Sequence, residues 1–157
     1  IPVDVVLCPR FRRHGGHRNF EHWEAVARGL IAAGYTCGCV GMKATSVDVE
    51  AIPEERKAWN YDTLDTHLEM MNHSRVVVAT DSGVAHLAVL NQSPVKVIYD
   101  APGKEAGHPT WPWVLPHMKA HAVTHCEPIL WGWNSPEDVV QQTVSYLKEP
   151  NAGPPGA

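Results

Sequence analysis

Runs of branched apolar residues alternate along the chain with amphipathic stretches, and each run ends in a polar, proline or glycine break. Val3 to Leu7 predicts a buried first strand that stops at Cys8-Pro9. Phe20, Trp23, Val26, Leu30 and Ile31 then share one face at helical spacing, which predicts a helix capped by Asn19 and stopped by Gly34. Tyr35 to Val40 reads as a second strand closed by Gly41, and the whole has the length of a parallel β-α-β crossover. Residues 42–62 carry no clear period and fit a short strand or a helical turn, with Glu54, Glu55, Arg56 and Lys57 reading as a solvated helical face. Leu64, Leu68 and Met71 predict a helix starting near Asp62 or Thr63.

Arg75 to Ala79 is the next strand, a helix follows to about Asn91, and Pro94 to Tyr99 is another strand. Such near-continuous apolar strands fit a parallel sheet covered on both faces. From Ala101 to Trp133 the pattern fails, apart from a short strand expected near His121 to Thr124. Trp111, Trp113, Trp131 and Trp133 in this region read as packing beneath a long loop or as stacking surfaces. Ser135-Pro136-Glu137-Asp138 is a helix start with cap, first-turn proline and first-turn acids, and Val139, Val140, Thr143, Val144 and Leu147 are its buried face. The expectation is one domain over residues 1–150 and a frayed Pro/Gly tail over 151–157. Its fold class is α/β, a Rossmann-like, open, mostly parallel, doubly wound sheet with helices on both faces.

Composition narrows the function classes. At 157 residues with 44% hydrophobic and 19% charged residues, the chain is long and apolar enough for a single core. A net charge of -4 provides no general basic field for nucleic acid. No apolar run reaches the roughly 20 residues of a membrane span. Cys8, Cys37, Cys39 and Cys126 lack zinc-knuckle spacing and read as reduced, buried thiols of a cytoplasmic protein. His117, His121, His125 and Cys126 are the one group with metal-ligating chemistry, but no helix is legible to organise them, so no metal or other cofactor is expected.

The densest chemistry lies where the third strong strand meets its helix. Val76 to Ala79 ends at Thr80-Asp81-Ser82-Gly83, and Val84-Ala85-His86-Leu87-Ala88 begins a helix. A helix N-terminus carries unpaired N–H groups and the positive end of the dipole, and so suits a phosphate. Gly83 permits close approach, Ser82 can cap or donate, and His86 is expected at the same mouth. The pattern also fits an ordinary strand-to-helix connection with Asp81 or Ser82 as cap. The loop from Arg10 to Arg18 follows the C-terminal end of the first strand, so in a doubly wound sheet it converges on the same crevice. It brings Arg10, Arg12, Arg13 and Arg18, which makes an anion site the stronger reading.

Asp81-Ser82-Gly83-Val84-Ala85-His86-Leu87-Ala88 followed by Ser93-Pro94-Val95 resembles the nucleotide-sugar-binding domain of glycosyltransferase family 9, the heptosyltransferases. Arg18-Asn19-Phe20-Glu21-His22-Trp23, Cys126-Glu127-Pro128 and Ser135-Pro136-Glu137-Asp138-Val139 extend the resemblance over nearly the whole chain, as the second half of such an enzyme. It implies the GT-B arrangement of two Rossmann-like domains and a nucleotide-diphosphate sugar as donor. Phosphate contacts are implied for Arg18, Ser82 and Gly83, with Asp81 orienting the turn and His86 beside the phosphates. Arg10, Arg12 and Arg13 are further first-loop contacts. The acceptor site and general base are expected on an N-terminal domain or a partner chain, and no catalytic residue is legible here. The segment Gly41-Met42-Lys43-Ala44-Thr45-Ser46 departs from the family's Gly-rich acidic pattern. The alternatives are a stand-alone nucleotide- or phosphate-binding module and a scaffold domain without catalytic activity. An intact pocket separates the scaffold from the others.

Overall fold

The computed structural model describes residues 2–13, 19–59, 64–99, 111–130 and 132–153. Six strands form one sheet: β1 (Val5–Cys8), β2 (Cys37–Val40), β3 (Lys57–Ala58), β4 (Val76–Thr80), β5 (Val95–Ile98) and β6 (Cys126–Ile129). Their order is β3-β2-β1-β4-β5-β6, and every pairing is parallel. Five helices connect and cover them: α1 (Trp23–Ala32), α2 (Asp65–Asn72), α3 (Gly83–Leu90), α4 (Trp111–His121) and α5 (Pro136–Leu147). The α/β, doubly wound expectation holds.

The reason is visible strand by strand. β1 and β4 are buried at every position, so their branched side chains feed two cores at once. On one face Val5, Leu7, Val76 and Val78 pack with Phe20, Trp23, Val26 and Leu30 of the α1 segment and with Val139 and Leu147 of α5. On the other, Val6, Cys8, Val77 and Ala79 pack with Met71 of α2, Ala85 and Ala88 of α3 and Met118 of α4. The chain winds outward from β1 in one direction through β2 and β3, then returns to β4 and winds the other way. The reversal falls between β1 and β4, the place where such sheets open a crevice at their carboxyl ends.

Several local expectations are corrected. Asn19 does not cap α1, whose N-cap is His22 without a side-chain bond. The Asn19 amide instead grips Arg12, accepting from its N–H at 2.6 Å and donating to its carbonyl at 2.9 Å. Ile31 lies on the exposed side of α1, and Leu64 is exposed just before α2, where His67 and Met71 take the buried face. Gly34 does stop α1, at φ +96°, with Tyr35 N–H returning to Leu30 O. The 42–62 stretch resolves into 3-10 turns at Lys43–Thr45 and Glu54–Arg56 and the two-residue strand β3. Lys57 is not on a solvated helical face: it lies in β3 with its ammonium paired to Asp48 and Glu54. The strand expected at His121 to Thr124 begins later, at Cys126, and the irregular region contains α4 instead. Ser135 caps α5 as expected, accepting from Asp138 N–H at 3.2 Å. All four cysteines are free and buried.

Candidate functional site

Three loops leave the carboxyl ends of β1, β2 and β4 and enclose a cleft of about 480 Å³. The first and second loops are stitched together by backbone. Phe11 N–H donates to Thr45 O and Val47 N–H to Pro9 O, each at 2.8 Å, and Arg10 Nη1 donates to Thr45 Oγ1 at 3.0 Å. Gly41, at φ +150°, turns the chain out of β2 beside Ser46. The first loop is tied to the third through Arg12, whose Nη2 donates to Asp81 O at 2.5 Å. With its backbone held by Asn19 and its guanidinium by Asp81, Arg12 is fixed at both ends. A side chain already immobilised loses little rotamer freedom when a ligand arrives.

The third wall is the start of α3. Ser82 is extended (φ −154°, ψ 170°), and its carbonyl accepts from Ala85 and His86 N–H at 3.1 and 3.3 Å. Its hydroxyl donates to Thr80 O at 3.1 Å rather than capping the helix. The first turn of α3 thus presents backbone N–H groups, with the positive end of the dipole, to a cleft that also holds two guanidinium groups. A Cβ built on Gly83 would meet no atom within 4 Å, so the space over the helix start is open. Val40, Met42, Leu64, Val84 and Leu87 give the cleft apolar walls. Cys8 reaches it as a thiol, because burial pushes its pKa well above the ordinary value.

Arg10, Arg12, Ser82 and Gly83 therefore come together. Asp81 contributes its backbone carbonyl, while its carboxylate faces the His86 ring at 3.6 Å. His86 does not share the cleft mouth: it lines a neighbouring hollow between α3 and α4. Arg13 is exposed and is not among the lining residues, and Arg18 lies outside the described residues. Sequence reasoning missed His67, which is buried on α2 and lines the cleft. Its signal was the spacing Leu64, His67, Met71, a helical face with an imidazole in the middle. Among the described residues no group of three or more His, Cys, Asp or Glu stands at metal-holding distances. No described helix is long and apolar enough to cross a membrane.

A parallel sheet in this order, with a helix start and arginines beside a cleft at its point of reversal, defines a Rossmann-like α/β domain. Among solved structures the chain is similar to the ADP-heptose lps heptosyltransferase II of E. coli, at a TM-score of 0.60 and 17% identity. The match covers 92% of this chain and 46% of that one, so the chain spans about half the length of that enzyme. The likeness is one of fold, a glycosyltransferase-like one. No family model and no curated protein sequence matches the chain.

Proposed function

We propose that this chain is the donor-binding domain of a glycosyltransferase resembling heptosyltransferases, and that its cleft holds the diphosphate of a nucleotide sugar. One observation carries the reading. The open first turn of α3 at Gly83 faces the same space as Arg10 and Arg12, with Arg12 locked to Asp81. A diphosphate leaving group needs its developing charge met by fixed donors, and a helix N-terminus with a guanidinium supplies them without a metal. Arg18 and His86 remain candidates for outer contacts. The acceptor and the general base belong, in this reading, to an N-terminal domain or partner chain, so the chain alone transfers no sugar at an appreciable rate. A cleft of this size favours a ligand-binding domain over a scaffold. A cytoplasmic setting accompanies the proposal and is supported by the four buried free thiols.

Calorimetric titration with ADP, GDP and UDP, paralleled by amide chemical-shift mapping, tests it. Binding weakens with salt and shifts Arg12, Gly83 and Val84 first. Absence of heat and of shifts at millimolar nucleotide refutes it.

A further inference from the structure

The hollow beside the cleft has a volume of about 470 Å³ and is lined by three imidazoles: His86 from α3, and His117 and His121 from α4. In the sequence no helix is legible around His117-Met118-Lys119-Ala120-His121. The structure makes it helical, which changes its meaning. Residues i and i+4 lie one above the other on a helix, with Cβ atoms roughly 5–6 Å apart. Both imidazoles are exposed and both line the same hollow. Two imidazoles at that spacing can chelate one divalent transition ion from a single helix.

Three further features favour a cation here. His121 is the last residue of α4, where the carbonyl end of the helix dipole is negative. No Lys or Arg is among the residues lining the hollow, and Lys119 of the same turn is engaged with Glu127 at 3.0 Å. On the facing wall the His86 side chain is 49% exposed and held by only a 3.6 Å approach to Asp81, so it can turn into the hollow. His125 and Cys126 are excluded as ligands: His125 stacks on Tyr146 at 4.0 Å, and Cys126 is buried.

We propose that His117 and His121 form a site for a borderline transition-metal ion of the Zn²⁺, Ni²⁺ or Cu²⁺ class, with His86 swinging across from α3 as third ligand and water in the remaining positions. The three imidazoles do not form one coordination sphere as they stand; binding draws His86 from Asp81 and clips α3 to α4. The hollow is separate from the nucleotide cleft, and the two share no lining residue.

The test is titration of the full chain with ZnCl₂ and with NiCl₂, followed by calorimetry and by imidazole resonances. His117 and His121 respond at the first equivalent, and affinity falls as the solution is acidified, because protons compete for the same nitrogens. Loss of an outer-shell partner of a metal ligand typically costs 10–100-fold, so His117→Ala and His121→Ala each lower affinity at least about tenfold. His73→Ala, an exposed histidine elsewhere, changes nothing. Unchanged affinity in the His117→Ala and His121→Ala variants, or first-equivalent shifts confined to other histidines, overturns the site. Unchanged affinity in His86→Ala, with the tenfold losses intact, overturns its assignment as third ligand.

Discussion

Acid should destabilise this fold through His125, and the size of the effect follows from where the ring sits. His125 precedes β6, and its carbonyl accepts from Val95 N–H at 2.8 Å. The ring lies against Tyr146 of α5 at 4.0 Å, and its buried Nε2 has no hydrogen-bond partner among the described residues. Burial, helped by the Lys96 and Lys119 ammonium groups and opposed by Glu127, lowers its pKa from 6.5 to about 4. The unfolded chain therefore binds a proton near pH 6.5 that the folded chain refuses until about pH 4. The stability contributed by the neutral ring is complete above pH 6.5 and is lost progressively as pH falls toward 4. At about 1.4 kcal/mol per pH unit the full interval sets an upper bound of about 3.5 kcal/mol. The ring is partly exposed, and solvent screening reduces this to about 1–2 kcal/mol. His125→Phe keeps the stack on Tyr146 and removes both the proton site and the orphaned nitrogen. Urea denaturation at intervals from pH 7.5 to 4.5 should show the two proteins diverging on the acid side through the parent's loss, with the variant at least as stable at neutral pH. Contributions common to both proteins cancel in the difference. Parallel stability–pH curves for parent and variant would refute the reasoning.

Gly83→Val should abolish nucleoside diphosphate binding while urea midpoints stay nearly unchanged, because the new side chain projects into open cleft space; retained affinity would move the anion elsewhere. Arg12→Ala should weaken binding and flatten its salt dependence, which calorimetry at two ionic strengths reads directly. Gly29→Ala should cost about 1–3 kcal/mol, since its Cβ would stand 2.7 Å from Val140 Cγ2 at the packed contact of α1 and α5, and the added Val140→Ala should recover much of that loss in denaturation midpoints. Thr80→Val should stabilise by about 1 kcal/mol, because the buried Thr80 hydroxyl finds no partner among the described residues.

The strands and the α5 helix were readable because their signals are local: consecutive branched residues for β1 and β4, and Ser135-Pro136-Glu137-Asp138 for the start of α5. The Rossmann-like winding followed from their alternation alone. α4 was not readable. Pro116 sits inside it, without an N–H to give its own turn, and Val114, Leu115 and Met118, packed against the core near Tyr99, mark its inner face. Tertiary packing supplies what local propensity opposes. At the site, convergence of the first loop on Ser82 and Gly83 followed from topology. The split between cleft and hollow did not: His86 follows Ser82 by four residues, but the turn of α3 carries its ring to the far wall. Asn19 has cap chemistry and a suitable position, yet its amide satisfies Arg12 instead, a choice set by a loop whose path no local pattern encodes.

Both borders of the sheet are poor templates for another strand. β3 is two residues long, and its Lys57 is bound to Asp48 and Glu54. β6 carries Pro128, paired in register with Val97, so the outermost row of donors is broken in its middle. An exposed border of unbroken N–H and C=O groups recruits further chains edge to edge, and this sheet offers one on neither side. Among the described residues, the surfaces open to association with a neighbour are therefore loops and helices more than the sheet borders.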